Sequence, residues 1–227
     1  MRRPIERAMI APSEMNLDEL RATLAPLLPG HAVFDGWSNE ALAMAARALG
    51  VPAERARIAF PGGQAQMIDA WFDWVDKEML AAFPSERIAS MKIRERIREL
   101  ILFRLEAMRP YREALRRALA ILAQPQNLPD AARLAWRAAD RIWRVAGDNA
   151  TDFNHYSKRA ILVGVYGSTS LVFLDDESAD LADTRAFLDR RIDGVMRFEK
   201  VKASWRGTRE RLPSISRFLG RLRYPAA

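Results

Sequence analysis

The sequence predicts an all-α protein of about ten helices, on three observations. Apolar residues recur at three- and four-residue spacing along almost the whole 227-residue chain. Short Pro, Gly or Asn clusters separate the periodic segments, and no segment alternates apolar and polar with the period of two that a half-buried strand needs.

Taken in order, the periodic segments place helices near 17–28, 39–49, 52–59, 64–83, 88–107, 110–123, 129–146, 152–176, 179–199 and 211–223. Ser38 before "NEALAMAARALG" is an N-cap, Trp37 is available as its staple, and Gly50 is the C-terminal stop. "QPQNLP" separates the sixth segment from the seventh, because proline closes one helix and opens the next. Gly147 stops the seventh. Thr151 then caps the eighth, with Asp152 in its first turn where a negative charge suits the helix dipole. The corner "AGDNATDFNHYSKRA" is therefore a helix–turn–helix junction, yet it carries Phe153, His155 and Tyr156, rings that a plain connector does not need. Three regions follow: a helix-turn-helix-like N-terminus over 1–62, a helical body over 63–200, and an amphipathic basic helix over 201–227.

Composition narrows the function classes. A net charge of +7 and a pI near 10.2 favour an anionic partner, either nucleic acid or an acidic membrane surface. The absence of cysteine removes disulfides, thiol chemistry and Cys-ligated zinc, and two histidines, His31 and His155, do not make a histidine-rich metal site. The N-terminus lacks the apolar run of a secretory signal, and no run reaches the eighteen or so apolar residues of a membrane span. Arginine far outnumbers lysine and alanine is abundant, the habit of a GC-rich bacterial genome. No Ser-His-Asp set, Glu-x-x-His pair or glycine-rich phosphate loop is present. No catalytic residue, metal ligand or cofactor is expected, and the acidic run Asp175–Glu177 reads as a solvated helix cap.

"WSNEALAMAARALGVPAERARIAF" has the cadence of a helix-turn-helix and resembles the N-terminal part of TetR-type regulators. It departs from them where "FPGGQAQM" replaces the residues that brace the second helix and touch phosphate. That helix offers Arg55 and Arg57 with the charge of Glu54 opposing them, which speaks against base reading and for a retained structural unit.

In "RAILVGVYGSTSLVFLDDES" apolar residues surround the axis, so this helix is expected to be buried on most sides. Gly164, Gly167, Ser168 and Ser170 admit two readings: close helix packing, or a channel lined by Leu162, Val165, Tyr166, Thr169 and Phe173. Such a channel, with almost no titratable groups, suits a lipid tail, since each buried methylene contributes about 0.8 kcal/mol without a polar partner. Near the C-terminus, Trp205, Leu212, Ile215, Phe218, Leu219 and Leu222 fall within an arc of roughly 140°, with Arg206, Arg217 and Arg221 largely opposite. This pattern fits an interfacial helix on anionic lipid, and equally a helix docked on the protein body or on a second subunit.

The central block carries a resemblance. "RPYREALRRALAILAQPQNLP" followed by "IWRVAGDNATDFNHYSKRAILVGVYGSTSLVFLDDESADLADTRAFLDRRID" resembles the Coq-nine family of ubiquinone-biosynthesis accessory proteins over about 37 to 195. The resemblance implies a TetR-like fold that has given up DNA for lipid, with phospholipid or an isoprenoid quinone intermediate in a hydrophobic tunnel and an amphipathic last helix on the membrane. It also implies presentation of the quinone precursor to a demethoxyubiquinone hydroxylase through a surface of Ile142, Asp152, Asn154, His155, Tyr156 and Arg159, with the first, fourth and fifth exposed. His155 stands where mitochondrial members commonly carry Trp. A mitochondrial targeting segment is not evident, so the expectation is a bacterial cytoplasmic protein, peripheral on the inner face of the inner membrane. A homodimer is left open, and a TetR-family regulator with an apolar effector pocket is the alternative function.

Overall fold

The computed structural model describes residues 11–12, 14–148 and 153–211, with side chains except at 153, 154, 196 and 198–211. Among these residues all regular structure is helical: α1 (Leu17–Leu24), α2 (Leu28–Asp35), α3 (Asn39–Ala48), α4 (Ala53–Ala59), α5 (Gly63–Ala82), α6 (Ser85–Ala89), α7 (Ile93–Met108), α8 (Arg112–Leu122), α9 (Leu128–Val145), α10 (Phe153–Asp175) and α11 (Ala182–Arg211).

Local chemistry sets the boundaries. Asn16 and Glu19 close a capping box on α1. The Ser38 hydroxyl accepts from the Ala41 amide at 3.2 Å, and Gly50, at φ +68°, ends α3 in a Schellman turn with Val51 N–H donating to Ala46 O at 2.9 Å. Gly147, at φ +91°, ends α9 in the same way, with Asp148 N–H on Trp143 O at 2.9 Å. Asn127 locks the break before α9 by donating from Nδ2 to Ile121 O at 2.8 Å. Between α10 and α11, Asp180 and Leu181 take positive φ. The buried Asp176 carboxylate holds that turn by accepting from the amides and hydroxyls of Ser178 and Thr184.

Four features differ from the sequence expectation. The helix expected over 17–28 ends at Leu24, and a second one covers 28–35 where none was expected: Pro29 sits in its first turn, where its missing N–H costs nothing, and Leu28, Pro29 and Ala32 are buried. A short α6 fills the stretch before α7. Helix α11 continues through Lys200 to Arg211, so the boundary drawn at 200/201 falls inside a helix. Trp37, read only as a staple for the helix after it, is also a core residue: it is 1% exposed, its ring lies 5.4 Å from that of Trp71, and its Nε1 donates to Ala114 O at 2.9 Å. The expected helix 211–223 lies outside the described residues beyond Arg211.

One continuous apolar core runs from Leu20 in α1 to Ile192 in α11, so the N-terminal helices are packed into the body. Beside it, α5 and α9 are riveted by charge. Asp69, Asp73 and Asp76, one turn apart on α5, face Arg133, Arg137 and Arg141 on α9, with Asp69–Arg137 at 2.5 Å, Asp73–Arg141 at 2.7 Å and Asp76–Arg141 at 2.6 Å. Asp76 and Arg104 of α7 form a buried pair, and Arg104 Nε donates to the Tyr166 hydroxyl of α10 at 3.2 Å. This network fixes the angle at which α9 delivers the chain to α10.

Candidate functional site: the corner between α9 and α10 and the cavity beside it

The corner is built around Arg159. Its guanidinium is 1% exposed and meets Asp140 at 2.7 Å and Asp148 at 3.3 Å, while also donating to the His155 carbonyl at 3.0 Å. Asp148 accepts a second cation, Lys158, at 2.6 Å. Burial alone would raise the Asp148 carboxyl, but Lys158 and Arg159 outweigh it and hold the group below its ordinary value, so Asp148 stays charged. The Lys158 ammonium also lies over the Trp143 ring, 5.3 Å from its centre, and Trp143 Nε1 donates to Lys158 O at 3.1 Å. From below, Arg96 Nη1 donates to Ala146 O at 2.9 Å. The end of α9 and the start of α10 are thus fastened from both sides.

Against this corner lies an apolar cavity of about 80 Å³, walled by Ile93 and Ile97 of α7, Trp143 of α9, Ile161, Leu162 and Val165 of α10, and Ile192 and Val195 of α11. Arg94 and Lys158 stand in its lining too. Exposed Ile93 and Arg94 mark the side on which it meets the surface. Trp143 and Lys158 belong both to the cavity wall and to the fastening of the corner.

Of the five residues expected to line a channel, Leu162 and Val165 do line this cavity. The other three are corrected. The Tyr166 hydroxyl accepts from Arg104; Thr169 is fully buried with Oγ1 donating to Val165 O at 2.7 Å; Phe173 is fully buried beneath the Arg112 guanidinium. These side chains fill the core. Gly164 and Gly167 face outward, with no heavy atom within 4 Å of where a Cβ would stand, so they serve neither close packing nor a channel among the described residues.

The expected partner surface is also only partly brought together. Tyr156 is 61% exposed, its ring 6.1 Å from that of Trp136, and the half-buried His155 ring lies 5.1 Å from it. Ile142, expected to be exposed, is fully buried because it lies on the core face of α9, four residues after Ala138. Arg159 is likewise an internal brace, with no surface to offer. Asp152 and the capping Thr151 lie outside the described residues, as does the Asn154 side chain. Trp205 lies within α11, its side chain not described, and Leu212, Ile215, Phe218, Leu219 and Leu222 fall outside the described residues.

Ile93, Ile97, Ile192 and Val195 were not singled out from the sequence. Each shows helical spacing, but spacing says only that a side chain is covered, not that four helices leave a gap where they meet. Trp143 and Lys158 stood within the quoted motif, and their apposition across the turn was the readable signal. No helix among the described residues is long and apolar enough to cross a membrane, and none of their acidic or histidine side chains cluster as a metal site.

Residues 128–199, which hold the whole corner, match the COQ9 family. The chain is 34% identical over 183 residues to the rat "Ubiquinone biosynthesis protein COQ9, mitochondrial", covering 78% of this chain and 59% of that one. For the human protein of the same name the identity is 31% over 192 residues, covering 82% and 59%. A Dictyostelium discoideum protein named as a probable mitochondrial coq9 is 27% identical, covering 74% and 56%. The chain therefore spans under two thirds of the length of these relatives. Among solved structures, the TetR transcriptional regulator from Nitrosomonas europaea superposes with a TM-score of 0.62 at 25% identity, over 77% of this chain and 96% of that one. The relatives are named as mitochondrial, which overturns the expected place on the inner face of a bacterial inner membrane. The match of the corner block and the aligned relatives agree with the resemblance read from the residues: the chain belongs to the COQ9 family, on a TetR-like fold.

Proposed function

We propose that this chain is a non-catalytic lipid-binding protein of ubiquinone biosynthesis. It seats the apolar end of an isoprenoid quinone intermediate or a phospholipid in the cavity between α7, α9, α10 and α11, and presents the rest to a demethoxyubiquinone hydroxylase-type enzyme at the corner. The carrying observation is the shared wall: Trp143 and Lys158 line the cavity and also hold the corner together. The names of the relatives supply the pathway. No catalytic set, metal or cofactor enters this reading.

The size of the cavity sets a limit. About 80 Å³ has room for roughly three or four methylenes, worth about 3 kcal/mol at 0.8 kcal/mol each. Alone that corresponds to a dissociation constant in the millimolar range. The remaining affinity must come from the length of chain left outside the cavity, and an anionic membrane surface touched by the basic segment from Trp205 onward supplies the setting. Organic extraction of the purified protein followed by mass spectrometry should yield phospholipid or polyprenyl quinone. Repeatedly empty extracts would remove the lipid from the proposal. Deleting residues from Trp205 onward should abolish sedimentation with anionic liposomes, and unchanged sedimentation would remove the tail.

The likeness to a TetR regulator favours a second reading, a DNA-binding protein with an apolar effector. In α4, however, Arg55 is turned inward and donates to Met15 O, leaving Glu54, Arg57 and Ile58 on the outside. A retarded band with promoter DNA at physiological salt would restore that reading.

A further inference from the structure

The polar side chains of the cavity lining are its two cations, Arg94 and Lys158, and each meets a carboxylate, Arg94 one of its own and Lys158 one that it shares with Arg159. Arg94 of α7 meets Asp193 of α11 at 2.5 Å, and Lys158 of α10 meets Asp148 at 2.6 Å. The next cation inward, Arg159, is shared between Asp140 and Asp148. Every other lining residue is apolar. A head group at the mouth therefore meets one ion pair and one cluster in which Asp140 and Asp148 balance Lys158 and Arg159, with Arg144 reaching Asp140 from the exposed side, and the fields of such matched groups largely cancel beyond a few ångströms. A pocket built to grip phosphate or carboxylate leaves its cations unmatched, with donors aimed at the anion.

Resting on the lipid-binding reading above, we propose that Asp193 and Asp148 are specificity-determining residues: by pairing Arg94 and Lys158 they set the mouth to accept an uncharged amphiphile head in place of an anionic one. The acids act on the cations and need not touch the ligand. Removing Asp193 frees one positive charge at the mouth without disturbing the corner, because Arg94 and Asp193 are both substantially exposed.

The test uses two probes of equal chain length, 8-bromooctan-1-ol and 8-bromooctanoate, whose bromine quenches tryptophan fluorescence. Full-length wild type is titrated beside Asp193→Asn, Arg94→Met and Asp130→Asn. The last makes the same change in net charge at the opposite end of α9, about 20 Å along the helix from Trp143. Loss of the quenching in Trp143→Phe identifies the cavity as the site. The wild type should prefer the alcohol. Asp193→Asn should shift the alcohol-to-acid ratio toward the acid by about fivefold or more, the size of one unit-charge contact at 4 Å in water. Arg94→Met should shift it the other way, and Asp130→Asn should leave it in place. A wild type that prefers the acid, or equal ratios in Asp193→Asn and Asp130→Asn, overturns the selectivity while the lipid site stands. Absence of Trp143 quenching by either probe overturns the lipid site itself, and this proposal with it.

Discussion

Val165→Phe tests whether the cavity is empty space kept for a ligand. Val165 is 5% exposed and points into the gap beside Ile161, Leu162 and Ile192. A cavity of about 80 Å³, at the value of about 24 cal/mol per Å³ for an enclosed one, sets an upper limit of about 2 kcal/mol on the packing that the apo chain forgoes, since its mouth opens to the surface at Ile93 and Arg94. A phenylalanine ring enters that volume, so the variant should gain up to about 2 kcal/mol and melt up to about 4–8 °C higher. Overpacking opposes this gain and typically costs about 1–3 kcal/mol when the space is already filled. The assay is paired: thermal denaturation of delipidated protein, and lipid content after purification. A stabilised, lipid-free variant fits the reasoning. A variant that is destabilised by more than about 1 kcal/mol shows that the space was already occupied by protein. A variant that keeps its lipid puts the ligand elsewhere.

Three further outcomes follow from the geometry. Arg159→Met should destabilise the fold by about 2–3 kcal/mol, since it removes the buried cation that Asp140 and Asp148 share while Arg144 and Lys158 still partner them; urea denaturation measures it, and a loss under about 1 kcal/mol would refute the brace. Tyr156→Ala removes an exposed ring, so stability should stay within about 0.5 kcal/mol while ubiquinone output in a complemented cell falls; an unchanged quinone profile would take Tyr156 out of the partner surface. Asp176 gives a pH dependence. Burial pushes its carboxyl up, but the hydroxyls and amides of Ser178 and Thr184 prevail and hold it at about 2, below the usual 3.8. A depressed carboxyl stabilises the fold fully above the unfolded value, and the contribution fades as pH falls from about 4 through 2. Asp176→Asn should therefore lower stability at pH 7 and flatten the acid limb over that window; an acid limb identical to wild type would show that this turn does not report on folding.

The fold was legible because helix periodicity and its punctuation are local. Ser38, Gly50 and Gly147 carry their geometry in their own backbone needs, and the matching ends of α3 and α9 follow directly. Residues 28–35 escaped because a Pro-Gly pair has two local meanings, and only the burial of Leu28 and Ala32 against the body decides between them. The candidate site was legible only in part, for a different reason. A run such as "ILVGVYGSTSLVF" tells how apolar a helix is, but whether Phe173 lines a hollow or plugs it depends on which side chain arrives from α8. Arg159 illustrates the opposite error. An arginine inside a recognisable motif invites a surface role, while here two carboxylates across the corner, Asp140 on α9 and Asp148 just after its end, have drawn it inside.

The placement of the cavity follows from what fills the centre of the bundle. The Trp37–Trp71 stack occupies one part of the interior, and the Asp76–Arg104 pair, capped by the Tyr166 hydroxyl and joined by Arg141, occupies another. Neither leaves room for hydrocarbon, and an alkyl chain forced among those charges would have to break a buried ion pair, at about 3–5 kcal/mol. Apolar space therefore survives at the outer seam where α10 and α11 close on α7, within one helical turn of the corner. On the proposed reading, a tail seated there leaves its head at the mouth beside Arg94 and Lys158 instead of deep in the body. For a carrier of the kind proposed, a shallow seat would do what a central pocket could not: the reacting end would already lie outside, within reach of a partner enzyme.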